Sequence, residues 1–147
     1  MSERSVTDPA SGLFSEAMLL AVLPSRVATA RRTLRPLGFV LVDVADGPDD
    51  ETMAGLVTAS IRDSDIAARL DDGSYAIVLE FTPAEGCLVV VGRLRDHLQQ
   101  ATPDAHLRAG VTGYPAHALT ADELLSTARA ALTASSDERA KVAPIPE

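Results

Sequence analysis

The pattern of apolar and polar residues predicts a helix followed by a buried strand. Residues 15–34 are rich in alanine, leucine and arginine, which favours a helix. Pro24 lies inside this segment and predicts a kink, because proline lacks the main-chain donor that a helix needs. Gly38 is expected to end the helix. Residues 39–44 are apolar and rich in β-branched side chains, which is typical of a buried strand.

A second helix and a hairpin are predicted next. Asp50 can cap a helix whose apolar side chains recur at helical spacing. Residues 66–70 and 75–81 are apolar runs joined by four residues that include Asp-Gly, which is the pattern of a β-hairpin. Residues 82–85 have the form of a capping box with proline at the first helical position, so another helix is expected from there to about residue 100.

The last part of the chain completes a β-α-β-β-α-β order with a helix at each end. Residues 107–112 predict a strand, and residues 120–123 form a second capping box that opens a helix to about residue 134. The central six elements are those of the ferredoxin-like arrangement, an antiparallel sheet with helices on one face. We therefore predict an α+β fold with a ferredoxin-like core and added N- and C-terminal helices. The first and third strands are expected to be adjacent and central.

Length and composition indicate one domain with an aliphatic core. The chain has 147 residues, of which 46% are hydrophobic and only 3% aromatic. We assign residues 8–136 to a single domain and expect flexible tails over residues 1–7 and 137–147, which offer little apolar surface to bury. The net charge of -8 argues against general nucleic-acid binding, because an acidic chain repels phosphate backbones.

Cysteine content and hydropathy favour the cytoplasm. Cys87 is the only cysteine, so no intrachain disulfide can form, and its apolar neighbours predict a buried, unreactive thiol. No apolar run approaches the roughly 20 residues of a membrane-spanning helix, and residues 1–8 lack the apolar core of a signal peptide. We therefore expect a cytoplasmic protein without membrane insertion.

The predicted topology brings acidic residues together at one end of the sheet. Asp43 ends the first strand and the hairpin of residues 71–74 precedes the third, so the two are expected side by side. Asp43, Asp46, Asp71 and Asp72 can in this way converge on a hard cation, whereas a solvated pair of acidic turns is the alternative.

Five segments of the chain carry a family resemblance. They are residues 8–13 (DPASGL), 40–43 (VLVD), 62–70 (RDSDIAARL), 110–115 (GVTGYP) and 121–132 (ADELLSTARAAL). In this order they resemble motifs of the GGDEF domains of bacterial diguanylate cyclases. The resemblance implies a nucleotidyl-cyclase type of fold, in which Asp43 matches the aspartate that binds a metal ion at the end of the first strand.

The signature from which that family takes its name is absent. Where the family has Gly-Gly-Asp/Glu-Glu-Phe, this chain has Asp71, Asp72, Gly73, Ser74 and Tyr75. The family's two glycines let the backbone approach nucleotide phosphates, whereas Asp71 and Asp72 place side chains and negative charge there. Gly73 and Ser74 replace two carboxylates, and two-metal phosphoryl transfer needs carboxylates at close range.

Two further losses indicate a degenerate domain. The segment after Asp43 is shorter than in the family and lacks the asparagine that reads guanine, and Ser136 stands near the place of a phosphate-binding lysine. The resemblance therefore implies a domain that is not an enzyme and has no cofactor. Mg²⁺ bound at Asp43 is the one cofactor that the resemblance does not exclude.

One functional element of the family is retained. Residues 62–65 match its Arg-x-x-Asp product-inhibition site, and Arg69 can assist. The resemblance implies that Arg62 pairs with a phosphate or a guanine edge, and that Asp65 accepts from guanine N–H groups of cyclic di-GMP or another nucleotide. The alternative is a helix C-terminus with Arg62 near the dipole and Asp65 in a turn.

Three functional hypotheses follow. The first is an inactive GGDEF-like regulatory module that senses cyclic di-GMP or another nucleotide. The second is a protein-interaction or scaffold domain, for which a protein partner or a homodimer is expected without any nucleotide. The third is a metal-dependent nucleotide enzyme of altered specificity that uses Asp43, Asp71 and Asp72 as ligands.

Overall fold

The computed structural model describes residues 6–136 and 140–144. The tails predicted over residues 1–7 and 137–147 therefore lie partly outside the described residues. Within the described part, the second tail differs from the prediction, because Lys141–Val142 forms a short strand beside a longer one. Ala143 follows it and is buried, so this segment does contribute apolar surface to the fold.

The described chain contains six strands and four helices. In chain order they are β1 (Phe14–Ser15), α1 (Glu16–Thr33), β2 (Leu37–Ala45), α2 (Asp50–Ser60), β3 (Ile66–Arg69), β4 (Tyr75–Glu80), α3 (Ala84–Ala101), β5 (His106–Tyr114), α4 (Ala121–Thr133) and β6 (Lys141–Val142). The predicted order of helices, hairpin and strands is confirmed. The two-residue strands β1 and β6 are additions that no sequence pattern indicated.

All six strands form one sheet in the order β1-β3-β4-β2-β5-β6. β2 pairs antiparallel with β4 and β5, and β3 pairs antiparallel with β4, so the inner four strands have the ferredoxin-like arrangement. β2 and β4 are adjacent and central, as predicted. β1 and β6 add short parallel pairs at the two edges.

Each face of the sheet has its own hydrophobic core. On one face α1 and α4 bury Leu19, Leu23 and Leu124 against the strands. On the other face α2 and α3 bury Val57 and Val91. The ferredoxin-like helices α2 and α3 therefore share a face as predicted, and the terminal helices cover the opposite one. None of the helices within the described residues is both long and apolar enough to cross a lipid bilayer.

The start of α2 lies one residue earlier than predicted. Asp49, and not Asp50, is the N-cap, and its Oδ1 accepts a hydrogen bond from Thr52 N at 2.8 Å. Asp50 is the first helical residue, so its carboxylate is available to other elements. Two adjacent aspartates can each serve as a cap, and the local pattern does not decide between them.

Of the two predicted capping boxes, only the one at residues 120–123 provides a side-chain N-cap, and its Glu123 Oε1 accepts from Leu119 N instead of Thr120 N. Thr120 caps α4 as predicted, with its Oγ1 accepting from Glu123 N at 3.1 Å. The box at residues 82–85 is wrong, because Pro83 is the N-cap of α3 and no side chain caps this helix. Thr82 Oγ1 instead donates to Glu80 O at 2.9 Å, which turns it away from the helix.

Gly38 lies inside β2 and does not end α1, which ends at Leu34 in a left-handed conformation with φ of 57°. A Cβ atom at Gly38 would collide with Cys87 Sγ of α3 and lie 2.9 Å from Thr82 O. Glycine at this position therefore allows α3 to pack closely on the sheet. Burial raises the pKa of Cys87 to about 12, which agrees with the predicted unreactive thiol.

We expect Gly38→Ala to lower the free energy of unfolding by about 1–3 kcal/mol, the usual cost of overpacking a core. Gly55→Ala in α2 is the matched control, because nothing lies within 4 Å of a Cβ atom there. Helix propensity should raise its stability by about 0.5–1 kcal/mol. Urea unfolding of both variants measures the difference, and similar changes in stability would contradict the close packing at Gly38.

Candidate functional site

The register of the sheet places the end of β2 beside the start of β4. Val42 is paired with Tyr75, so Asp43 lies next to the hairpin of residues 71–74, which is the juxtaposition that the topology predicts. On the other side of β2, Asp43 is paired with Arg108 of β5. Asp43 therefore lies between the hairpin and an arginine of the neighbouring strand.

Asp43 forms an ion pair with Arg108. Its Oδ2 accepts a hydrogen bond from Arg108 Nη2 at 3.0 Å, and both side chains are about half exposed. A cavity of about 340 Å³ beside the pair is also lined by His106 and Ser136. The carboxylate that the family resemblance assigns to a metal ion thus has a guanidinium of the same chain as its partner.

The hairpin of residues 71–74 is held by its own side chains. Asp72 Oδ1 accepts from Ser74 N at 2.9 Å and from Ser74 Oγ at 2.6 Å, and Gly73 has φ of +91°, which glycine adopts without strain. Asp72 Oδ2 accepts from Arg129 Nη1 of α4 at 3.0 Å. The bonds from Ser74, followed by the pairing with Arg129, hold the pKa of Asp72 below its ordinary value.

The aspartates near the hairpin do not form a cluster. Among the described residues, no group of three or more His, Cys, Asp or Glu side chains is arranged to hold a metal ion. Asp43 and Asp72 each face an arginine, and Asp71 N donates to Glu16 Oε1 at 3.0 Å. The three aspartates proposed above as ligands of an altered enzyme are therefore not brought together as a cation site.

Tyr75 and Arg69 connect the hairpin to α2. Tyr75 Oη donates to Asp50 Oδ1 at 2.8 Å, and burial together with this bond raises the pKa of Tyr75 to about 12. Arg69 Nε lies 3.1 Å from the same oxygen, and Arg69 Nη1 lies 3.7 Å from Asp8 Oδ1. Arg69 thus holds the N-terminal segment and α2 together, which differs from its predicted role beside Arg62.

Arg62 and Asp65 form a closed unit between the end of α2 and β4. The Asp65 side chain is 1% exposed and accepts from Arg62 N at 2.9 Å, from the Arg62 guanidinium at 3.2 and 3.3 Å, and from Glu80 N at 3.0 Å. Arg62 Nη2 also donates to Glu80 O at 2.7 Å. Since protein groups enclose the Asp65 carboxylate, it orients Arg62, whose own side chain is 59% exposed.

Two cavities border this unit. One, of about 400 Å³, lies between residues 12–14 and the start of β3. The other, of about 290 Å³, lies between α2 and α3 and is lined by Arg62, Asp65 and Arg93. Arg93 is exposed, and its Nη1 donates to Ser60 O at 3.0 Å. No sequence pattern indicates Arg93, because only the packing of α3 against α2 brings it to this cavity.

Comparison with known proteins identifies the fold. No protein-family model matches the sequence, and no curated protein matches it. Solved structures do match: the GGDEF domain of TpbB, also called YfiN, from Pseudomonas aeruginosa has a TM-score of 0.81 at 20% identity, covering 94% of each chain. The active GGEEF domain of a diguanylate cyclase from Vibrio cholerae has a TM-score of 0.75 at 20% identity, covering 91% of this chain and 99% of that one.

A third similar structure carries a ligand. The GGDEF domain of DgcB from Caulobacter crescentus, solved in complex with c-di-GMP, has a TM-score of 0.76 at 14% identity, covering 97% of this chain and 96% of that one. The chain therefore has the GGDEF-domain fold, and the predicted fold class is confirmed. At these identities the likeness concerns the backbone, so the function has to be argued from the side chains.

We expect Asp72→Asn to lower stability near neutral pH by a few tenths to about 1 kcal/mol, the range for half-exposed pairs. Because the folded-state pKa of Asp72 is lowered, its stabilising effect is complete above the unfolded pKa and is lost as the pH falls through the folded one. Urea unfolding at about pH 7 and about pH 3 measures the difference. The exposed Asp96→Asn is the control, and an Asp72→Asn effect that is equal at both pH values would contradict the assignment.

Proposed function

We propose that this chain is a catalytically inactive GGDEF-fold module with a regulatory role. The observation that carries the proposal is the state of Asp43, which is paired with Arg108 and, among the described residues, belongs to no group of three or more His, Cys, Asp or Glu side chains that could hold a metal ion. Metal-assisted phosphoryl transfer needs carboxylates that share a divalent cation against the substrate phosphates. Gly73 adds no ligand, and Asp72 is already bonded to Ser74 and Arg129.

The small number of carboxylates available to bind a metal ion supports catalytic inactivity more strongly than the Asp43–Arg108 ion pair does. A half-exposed ion pair contributes only about 0–1 kcal/mol, so Arg108 alone would not keep a cation away from Asp43. A single carboxylate, however, holds Mg²⁺ only together with water and substrate oxygens. The hairpin that should receive those substrate oxygens instead presents Asp71 and Asp72, which repel phosphate.

We expect the purified protein to form no cyclic dinucleotide from GTP with Mg²⁺ or Mn²⁺, as measured by chromatography of the reaction mixture. Asp43→Asn is the matched control, because it removes the remaining candidate metal ligand with little change in size. The two proteins should give the same background. Metal-dependent product that appears with the parent and disappears with Asp43→Asn would overturn the proposal.

The ligand of the module is cyclic di-GMP or a related nucleotide, bound in the cavity between α2 and α3. Arg62 and Arg93 both line this cavity, and each guanidinium can pair with a phosphodiester oxygen or a guanine edge. Asp65 contributes by fixing Arg62 and not by accepting from the base, since its oxygens are already bonded. DgcB, which has the same fold, is solved with c-di-GMP.

We expect cyclic di-GMP to give a saturable heat in calorimetry, and Arg93→Gln to weaken binding about tenfold or more, as loss of a charge-assisted hydrogen bond of about 1.5–3 kcal/mol requires. Arg32→Gln is the matched control, because it makes the same charge change in the last turn of α1. Silence up to about 1 mM ligand, or unchanged binding by Arg93→Gln, would contradict this site.

A second candidate function is a protein-interaction or scaffold domain. The observation that favours it is the enclosed Asp65 carboxylate, which shows that the Arg-x-x-Asp segment already has a structural task. This function predicts a dimer or a partner complex on a sizing column without nucleotide. Arg93→Gln would then leave self-association or partner capture unchanged, whereas a nucleotide-dependent assembly would be weakened by the same substitution.

A further inference from the structure

Arg95 of α3 is a half-buried cation without a carboxylate partner. Within the described residues its side chain forms no ion pair, in contrast to Arg69, Arg108 and Arg129. Its Nη2 makes one long hydrogen bond to Leu107 O at 3.4 Å. Its Nε atom is enclosed and has no hydrogen-bond partner. A guanidinium always carries its protons, so this N–H is a donor whose desolvation is not compensated.

The other enclosed polar atoms of the described chain have simple explanations. Arg69 Nε lies 3.1 Å from Asp50 Oδ1, so a carboxylate balances it even though the angle is poor. His117 Nδ1 is enclosed as well, but a neutral imidazole can leave that nitrogen as an unprotonated acceptor. Among the described residues, Arg95 Nε has no carboxylate partner, and no tautomer removes its proton. The guanidinium therefore keeps a charge that no described carboxylate balances, and Arg95 also lines a cavity from which an anion can approach it.

A cavity of about 400 Å³ lies beside Arg95, between the end of α3 and the start of β5. Leu98, Ala105 and Leu107 give it apolar walls, while Gln99 and His106 add polar side chains. The described residues that line it include no Asp or Glu. The guanidinium and the amide among them present N–H donors that are complementary to an anion.

We propose that this cavity binds a small oxyanion, namely a phosphate group, through Arg95. The planar guanidinium presents donors that match the oxygens of a phosphate, and Gln99 can donate from its amide. His106 also lines the cavity beside Asp43 and Arg108, so the two cavities meet at this residue. The site thus lies at the same end of the sheet as the hairpin but on the α3 side, and it uses arginine instead of a metal ion.

Short-range contacts must provide the affinity of this site. Asp96 and Asp104 lie nearby in sequence but outside the cavity lining, and the chain has a net charge of -8. Long-range attraction of an anion is therefore weak, and the site should select groups that fit the guanidinium directly. The source of the phosphate, free or carried by a nucleotide, is for the experiment to distinguish.

The proposal is tested by NMR titration of the ¹⁵N-labelled protein with sodium phosphate at constant ionic strength. We expect saturable shifts of the Arg95 Nε–H and the Ala105 amide, with a dissociation constant of about 1 mM or tighter. Arg95→Gln should abolish the shift at Ala105 and Arg95→Lys should weaken it, while Arg32→Gln leaves it unchanged. Linear shifts up to about 50 mM phosphate, or equal shifts in Arg95→Gln, would overturn the proposal.

Two further titrations distinguish this site from the one proposed for cyclic di-GMP. The phosphate titration is repeated with Arg62→Gln, which alters the other cavity and should leave the Ala105 shift intact. GMP replaces phosphate in a second series, and tighter binding than phosphate would assign the site to a nucleotide. Loss of the Ala105 shift in Arg62→Gln would overturn a separate site at Arg95.

Discussion

The antiparallel register of β2 with its two neighbours determines where the charged groups at one end of the sheet lie. Val42 is opposite Tyr75 on one side, and Asp43 is opposite Arg108 on the other. A shift of one residue would turn these side chains to the opposite face of the sheet. The shift is prevented because β2 is buried on both faces, with Val40 and Val42 in one core and Phe39 in the other.

Two carboxylates at that end, those of Asp43 and Asp72, are balanced by arginines of the same chain. Arg108 reaches Asp43 across the sheet, and Arg129 reaches Asp72 from α4. In metal-dependent nucleotide chemistry, carboxylates at such a junction are balanced by divalent cations. Here arginines of a strand and a helix pair with the carboxylates of Asp43 and Asp72. The contacts that hold the sheet together are distinct from these side-chain pairs at its end.

Local patterns predicted the elements well and their tertiary roles poorly. The hairpin and the helix capped by Thr120 were found because their signals lie within a few residues. Gly38 was assigned wrongly to a helix end, since glycine is required there by the close approach of Cys87 from a helix that is distant in sequence. Arg93 and Arg95 were not predicted, because their surroundings also form only when α3 packs against other elements. The Asp43–Arg108 pair could have been predicted from the sequence, because it follows from the register once β2 and β5 are aligned.

The Arg-x-x-Asp segment has a structural task that is independent of any ligand. The β3–β4 ladder begins at Ile66 opposite Val78, so Glu80 extends beyond it. Asp65 Oδ1 accepts from Glu80 N, and Arg62 donates to Glu80 O, so the two side chains replace the missing strand. Arg26 of α1 completes the unit at the Glu80 carboxylate. The presence of this segment therefore does not by itself indicate nucleotide binding, and a ligand would be bound by the exposed arginines beside it, Arg62 and Arg93.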